Sequence, residues 1–166
     1  YFSFSGWSED LFSAVDFLSS KVDKIGILGF SGGAIVSVYN TAIDKRIRFL
    51  MSCSCPTEIK RIIPRLKENY MNNKDVLRIS DLEESINAIE KDFERMNPLK
   101  WIKKISPRPV LIVHGEEDDL VDVNNAHRLY ESANPPKELM VVKGAGHRIR
   151  EDEKTMESLV GWAKNC

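Results

Sequence analysis

The sequence contains no apolar run long enough to cross a bilayer and no block of basic residues. A membrane-spanning helix needs about 20 consecutive apolar residues, so the first absence argues against a transmembrane protein. The 24 lysines and arginines and the 25 aspartates and glutamates leave a formal net charge of -1. This balance gives no electrostatic reason to expect nucleic acid or an anionic membrane as a partner. Because the first residues also show no basic region followed by a hydrophobic stretch, we expect a cytoplasmic protein.

Cysteine is scarce as well, which argues against a disulfide-rich domain and a cysteine-based zinc site. The three cysteines are Cys53 and Cys55, one residue apart, and Cys166 at the end of the chain. This spacing matches neither a disulfide framework nor a set of zinc ligands. We therefore expect reduced thiols, with Cys53 and Cys55 packed at the end of a strand.

The length of 166 residues, with 42% hydrophobic residues, suits one domain with a core and is too short for two comfortable ones. The first residues are aromatic and rich in serine, and they do not begin with methionine. We expect residues 1–166 to form a single domain that is incomplete at its N-terminus.

Residues 24–39, KIGILGFSGGAIVSVY, predict a strand, a sharp turn and a helix. A serine at such a turn is forced into strained backbone geometry, which only glycine neighbours on both sides tolerate sterically, and its hydroxyl is exposed to a cleft. The helix that follows directs free N–H groups and the positive end of its dipole toward an oxyanion. Ser31 is therefore a candidate nucleophile, and the N–H of Gly32 is a candidate oxyanion donor.

The same glycine-rich turn could instead pack closely or bind a phosphate, as in nucleotide-binding folds. No lysine follows the glycines, and the pattern Gly-x-Gly-x-x-Gly is absent. Both absences argue against a phosphate-binding loop.

Apolar runs and helical periodicity predict alternating strands and helices along the rest of the chain. The first helix is predicted to be capped by Ser8 and to have Leu11, Val15 and Leu18 on one face. The predicted strands are Ile25–Phe30, Ile47–Ser54, Val110–Val113 and Leu139–Val142, and the later helices are Glu58–Tyr70, Asp81–Met96, Asn124–Ser132 and Thr155–Lys164. Buried strands separated by helices form a parallel sheet with flanking helices, which is the α/β architecture.

Residues 56–97 contain charged, amphipathic helical segments and no predicted strand. A helical insertion between two buried strands would lie over the edge of the sheet or over the cleft, where it could act as a lid. The alternative is a solvated excursion with no role in substrate access.

Polar motifs follow three of the predicted strands. Ser31 comes after the first strand, residues 116–119 come after the third, and His147 comes after the fourth. Ligands of such sheets bind at the carboxyl ends of the strands, so these motifs share one edge. A serine nucleophile needs a base within hydrogen-bond reach and an acid that orients the base.

The motifs GFSGG, VLIVHGEEDDLVDVNNAHRLYE and VVKGAGH, in this order, resemble the α/β-hydrolase fold family, especially its esterase and serine-peptidase-like branches. The resemblance covers nearly the whole chain. It implies Ser31 as nucleophile, Asp118 as acid and His147 as base, with the Gly32 N–H as one oxyanion donor. It implies no metal or organic cofactor.

The chain departs from the family pattern in the loop of the acid. Asp122 stands where the family usually has a proline, and Asp119 is a rival carboxylate beside Asp118. His114 and His127 are expected to be non-catalytic, the first at a structural strand end and the second on a helix away from the site.

The larger departure from the family pattern is at the front of the chain. Family members carry further strands before the nucleophile strand, with a loop that donates the second oxyanion N–H. This sequence has no such segment. We therefore expect the natural protein to extend before Tyr1 and the strand Ile25–Phe30 to lie inside a larger sheet.

The function expected from these motifs is a serine hydrolase that cleaves a small-molecule carboxylic ester through an acyl-enzyme on Ser31. A serine peptidase or a thioesterase is the nearest alternative. A non-catalytic or truncated member of the fold is the alternative from a different class, because a fold does not decide function.

Overall fold

The computed structural model describes residues 3–73 and 81–166 of the chain. Within them, parallel strands form a four-stranded sheet in the order β1-β2-β3-β4. The strands are β1 (Ile25–Phe30), β2 (Ile47–Cys53), β3 (Val110–Gly115) and β4 (Lys137–Val142). The predicted parallel sheet with flanking helices is confirmed.

Helices precede, connect and follow the strands. The α-helices among the described residues are α1 (Phe4–Ser19), α2 (Gly32–Ile43), α3 (Ile63–Asn73), α4 (Leu82–Met96), α5 (Pro98–Trp101), α6 (Asn124–Ser132) and α7 (Glu153–Lys164). Short 3-10 helices cover Ile102–Lys104 and Ile149–Glu151. In the described part of the chain, no helix has both the length and the apolar character that crossing a membrane requires.

The core occupies both faces of the sheet, because successive side chains of a strand point to opposite sides. Leu50 and Ile112 pack on one face together with residues of α2, α4 and α6. Met51 and Leu111 pack on the other face against Leu159 of α7. Every residue of β3 is buried, as expected for an internal strand of a parallel sheet.

Helix α1 begins earlier than predicted. Ser3 is its N-cap, and the following Phe4 is 3% exposed, so burial of this aromatic ring extends the helix toward the N-terminus. Ser8, predicted as the cap, is instead buried inside the helix, where its hydroxyl donates to Oδ1 of Asn40 on α2 at 2.7 Å. The predicted inward face is right for Val15 and wrong for Leu18, which is 39% exposed.

The helical insertion predicted over residues 56–97 contains α3 and α4, and its residues 74–80 lie outside the described residues. Helix α3 begins at Ile63 rather than at Glu58, because Ile59 and Ile62 are buried in the turns that precede it. No residue of α3 is buried, so this helix lies on the surface of the domain.

Helix α4, by contrast, packs into the core. The predicted apolar stripe of Ile86, Ile89 and Phe93 is buried. Asp92 on the same helix accepts a hydrogen bond from the backbone N–H of Ser5 at 2.7 Å, which ties α4 to the start of α1. One of the two helices of the insertion is therefore anchored and the other is exposed.

Strand β1 lies at one edge of the sheet formed by the described residues. It pairs with β2 on one side, and its residues Gly26, Ile27 and Leu28 are only partly buried. The expectation that β1 lies inside a larger sheet stays a prediction.

Candidate active site

Ser31 lies between β1 and α2, at the carboxyl edge of the sheet. Its φ of 53° and ψ of -123° are sparsely populated for a residue with a side chain, as expected for a strained turn. Its backbone N–H donates to the carbonyl of Cys53 at 2.9 Å, which fixes the turn to the end of β2. The Ser31 side chain makes no cap hydrogen bond to α2, so its hydroxyl is available to another partner.

The two glycines of the Gly-x-Ser-x-Gly pattern have different surroundings. A Cβ on Gly29 would lie 2.3 Å from Oγ of Ser37 and 2.9 Å from Cα of Ala34, so this glycine permits the close approach of β1 and α2. A Cβ on Gly33 would meet no atom of the described residues within 4 Å. The expectation that sterics demand glycine on both sides is therefore right for Gly29 and wrong for Gly33, which faces open space.

His147 connects Ser31 with Asp118. Its Nε2 lies 3.0 Å from Oγ of Ser31, and its Nδ1 lies 2.9 Å from Oδ2 of Asp118. Because an ionised carboxylate only accepts hydrogen bonds, Nδ1 donates to Asp118. The lone pair of Nε2 then faces the Ser31 hydroxyl. The structure thus brings together the three side chains that the sequence singles out.

The loops after β3 and β4 hold the acid and the base at this distance. The backbone N–H of Glu117 donates to the carbonyl of Ala145 at 3.0 Å, and that of Glu116 to Val142 at 2.9 Å. A Cβ on Gly115 would lie 2.3 Å from the Ala145 carbonyl oxygen, so the loops pack without room for a side chain there. The relative position of acid and base is therefore set by backbone contacts.

Asp118 is buried, and its side chain has no exposed surface. Its Oδ1 accepts from the backbone N–H groups of Leu120 at 3.0 Å and Val121 at 2.8 Å. Burial by itself raises the pKa of this carboxyl, but hydrogen bonds from His114, His147 and the Val121 N–H outweigh burial and hold the pKa well below its usual range. Asp118 is therefore an anion that accepts from the base.

The rival carboxylate, Asp119, pairs with an arginine and not with His147 among the described residues. Its side chain is 77% exposed and forms an ion pair with Arg65 of α3 at 3.1 Å. Asp122, at the position where the family usually has a proline, accepts from the backbone N–H of Asn124 at 2.8 Å and so assists the start of α6.

Of the remaining histidines, His127 is exposed on α6. His114 is fully buried at the end of β3, and its Nε2 lies 2.7 Å from the Val121 carbonyl oxygen and 3.3 Å from Oδ2 of Asp118. The strand-end position was predicted, but the contact with the acid was not. The signal available in the sequence was only that His114 precedes Asp118 by four residues.

Gly32 is the first residue of α2, and the first N–H groups of a helix have no partner within the helix. The N–H of Gly32 is thus suited to face an oxyanion formed at Ser31. A Cβ on Gly32 would lie 3.3 Å from the ring of Phe4 and 3.5 Å from that of Trp7. Aromatic residues of α1 therefore flank the candidate oxyanion donor, a neighbourhood that the sequence did not indicate.

An open cleft of about 960 Å³ borders the base. On one side it is lined by α3, including Arg65 and Leu66, and on the other by the loop that carries His147 and by Ile149. Ser31 and Gly32 are not among its lining residues. The cleft therefore borders the base and α3 but not the candidate oxyanion donor.

The thiols take no part in this site. Cys53 and Cys55 are buried, and burial raises the pKa of each thiol to about 12, which leaves them protonated and unreactive. Within residues 3–73 and 81–166, no group of three or more histidines, cysteines, aspartates and glutamates is arranged to hold a metal ion.

Comparisons with known proteins agree with this arrangement of strands and helices. The sequence model of the BD-FAE family matches residues 8–133, which is most of the chain. YqkD of Bacillus subtilis, an uncharacterized protein, is 27% identical over 85% of this chain, and YtmA of the same organism, an uncharacterized peptidase, is 26% identical over 95%. The chain spans 48% of the length of YqkD and 63% of that of YtmA.

Solved structures show the same fold. The esterase domain of a Rhodothermus marinus protein superposes with a TM-score of 0.72 at 19% identity, over 95% of this chain and 68% of that domain. The monoacylglycerol lipase of Paleococcus ferrophilus superposes with a TM-score of 0.70 at 19% identity, over 96% of this chain and 74% of the lipase.

Proposed function

The chain belongs to the BD-FAE family, which has the α/β-hydrolase fold, and on this premise we propose that it is a serine hydrolase. The proposed reaction is the cleavage of a small-molecule carboxylic ester through an acyl-enzyme on Ser31. The observation that carries the proposal is the hydrogen-bonded series from the Ser31 hydroxyl through the His147 ring to the buried Asp118 carboxylate. Acyl transfer by serine needs nucleophile, base and acid within such reach.

In the first half of the proposed reaction, Ser31 Oγ attacks the ester carbonyl carbon while His147 Nε2 takes the hydroxyl proton. The Asp118 carboxylate stabilises the imidazolium that forms and keeps Nδ1 protonated. The negative charge on the former carbonyl oxygen is stabilised by the Gly32 N–H and by the N-terminus of α2. The bond to the alcohol oxygen then breaks, and His147 passes the proton to that oxygen.

In the second half, water replaces the alcohol. His147 takes a proton from the water, whose oxygen attacks the acyl carbon. The bond to Ser31 Oγ breaks, Ser31 regains its proton from His147, and the carboxylic acid leaves. This half uses the same groups, so no residue beyond those of acylation is needed.

We assign the cleft beside α3 to the alcohol part of the substrate. His147 must approach the leaving oxygen to protonate it, and the cleft is bordered by His147 and by neither Ser31 nor Gly32. In this proposal α3 acts as the lid of the site, and α4 anchors the insertion to the domain.

A serine peptidase is the second candidate function. It is favoured by the similarity to YtmA, which is named a peptidase and matches 95% of this chain. The same acyl-enzyme chemistry applies, with an amine in place of the alcohol as the leaving group.

The proposal is tested with an activated acetate ester and a fluorophosphonate probe. We expect ester turnover and covalent labelling of Ser31 alone, located by peptide mass spectrometry. Ser31→Ala should lose both, and His147→Ala should lower kcat about 1,000-fold or more, since these residues act as a unit. Labelling of another serine, undiminished turnover by Ser31→Ala, or a wild-type chain that neither reacts nor turns over would contradict the proposal. Faster cleavage of peptide amides than of matched esters would favour the peptidase.

A further inference from the structure

His114 is a fully buried polar residue that the proposed mechanism does not use. It lies within β3, where the other side chains are buried and most are apolar. Burying a polar group costs free energy unless the group is hydrogen-bonded. The His114 Nδ1 atom has no hydrogen-bond partner among the described residues, so the contacts of Nε2 must account for a histidine at this place.

The proton of the His114 ring can be placed from its neighbours. The Nε2 atom lies 2.7 Å from the carbonyl oxygen of Val121, and a carbonyl oxygen only accepts. Nε2 therefore carries the proton and donates it. Oδ2 of Asp118 lies 3.3 Å from the same nitrogen, so the N–H that donates to the Val121 carbonyl also lies beside the Asp118 carboxylate at a longer distance.

The two oxygens of the Asp118 carboxylate have different partners. Oδ1 is held by the backbone N–H groups of Leu120 and Val121. Oδ2 lies between two histidine rings, with His114 Nε2 at 3.3 Å and His147 Nδ1 at 2.9 Å. The only side chains within ion-pair distance of this carboxylate are these two rings, in the part of the chain that the structure describes.

We propose that His114 is a positioning residue for Asp118. Its Nε2–H donates to the Val121 carbonyl and attracts Oδ2 of Asp118, and these contacts keep Oδ2 facing His147 Nδ1. The proposal rests on the proposed function, because the orientation of Asp118 matters for catalysis only if His147 acts as the base. Without this donor, Oδ2 keeps one partner and the Val121 carbonyl loses a partner inside the domain. The carboxylate is then held by the donors to Oδ1 and by His147 alone, so that Oδ2 can shift relative to Nδ1, and a small displacement of a reacting group can cost about 100-fold in rate.

The test compares three variants of His114 in the full chain. Glutamine places its amide nitrogen near the position of Nε2, asparagine reaches only about as far as Nδ1, and leucine has no donor. We expect His114→Leu and His114→Asn to lower kcat for an activated acetate by roughly 10- to 100-fold with KM changed less than about twofold. His114→Gln should stay within about threefold of the wild type.

A second readout is the proton on His147 Nδ1, observed by NMR. Its signal should persist in the wild type and in His114→Gln, and it should broaden or disappear in His114→Leu and His114→Asn. This readout needs no turnover, so it separates the two proposals. A wild type without esterase activity contradicts the proposed function, whereas the NMR comparison still decides on the role of His114.

Equal kcat values, or equal His147 signals, for the glutamine and asparagine variants would overturn the inference. The same holds if all three variants lose thermal stability without a fall in kcat at constant KM, because that is the signature of packing alone. If His114→Leu does not fold, the comparison of His114→Gln with His114→Asn still tests whether a donor at the position of Nε2 is needed.

Discussion

At the scale of single residues, Asp118 and Asp119 are adjacent carboxylates in opposite surroundings. Asp118 is buried and accepts from His147, whereas Asp119 is exposed and pairs with Arg65. An exposed ion pair contributes only about 0.2–1 kcal/mol. The acid of a Ser-His-Asp site is needed to hold the tautomer of the base.

We predict that Asp118→Asn lowers kcat about 1,000-fold or more, because the amide no longer stabilises the imidazolium. Asp119→Asn should change kcat less than about threefold, since it removes only a surface contact. Steady-state kinetics with an activated acetate measure both effects. The reversed order of the two effects would assign the acid to Asp119.

At the scale of elements, the turn between β1 and α2 distinguishes its two glycines. We predict that Gly29→Ala lowers the free energy of unfolding by about 1–3 kcal/mol, because the new methyl group would overlap Ser37 and Ala34. Gly33→Ala should be neutral or stabilise the domain by up to about 1 kcal/mol, since alanine favours a helix and the space is open. Urea unfolding measures the free energy of unfolding of both variants. An equal loss of stability in Gly33→Ala and Gly29→Ala would contradict the prediction.

Helix α3 belongs to the insertion of residues 56–97. Sequence patterns do not decide whether this insertion is a lid or a solvated excursion. Leu66 lines the cleft beside His147, whereas Met71 on the same helix is 60% exposed and lies outside the lining. We predict that Leu66→Trp lowers kcat/KM about tenfold for acetate esters of a bulky alcohol relative to the methyl ester. Met71→Trp is the matched control and should leave the ratio unchanged. If Leu66→Trp also leaves it unchanged, α3 is a solvated excursion.

At the scale of the whole molecule, two buried carboxylates link the stability of the fold to pH. The pKa of Asp44 is lowered chiefly by its hydrogen bond with Arg46. For Asp118, burial raises the pKa, but the donors around it outweigh burial and lower it below the ordinary value of 3.8. In both cases the unfolded chain binds protons more readily than the folded one, so stability is present above pH 3.8 and is lost as pH falls further.

We therefore predict that the free energy of unfolding falls between about pH 5 and pH 3, and that it falls less steeply in Asp118→Asn. Urea unfolding at both pH values measures the two slopes. Identical slopes would mean that the Asp118 carboxyl has the same pKa in the folded and unfolded chain.

Much of the architecture was predictable because its causes are local. The apolar runs Ile25–Phe30 and Val110–Val113 indicate buried strands without reference to the rest of the chain, and the stripe of Ile86, Ile89 and Phe93 indicates the inward face of α4. The order of serine, acid and base motifs, each after a strand, likewise needs only the sequence.

Other features depend on partners far away along the chain, and the sequence alone could not predict them. Ser8 suits an N-cap by its type, yet Asn40, 32 residues later, takes its hydroxyl into the interface of α1 and α2. The sequence favoured Asp118 over Asp119 by its motif alone, and the packing of the loops after β3 and β4 decides which carboxylate meets His147. The contact of His114 with that carboxylate exists only because the loop after β3 folds back over the strand end. Periodicity and turn chemistry act between neighbours, whereas these contacts arise when separate elements pack, which is why the tertiary structure decided them.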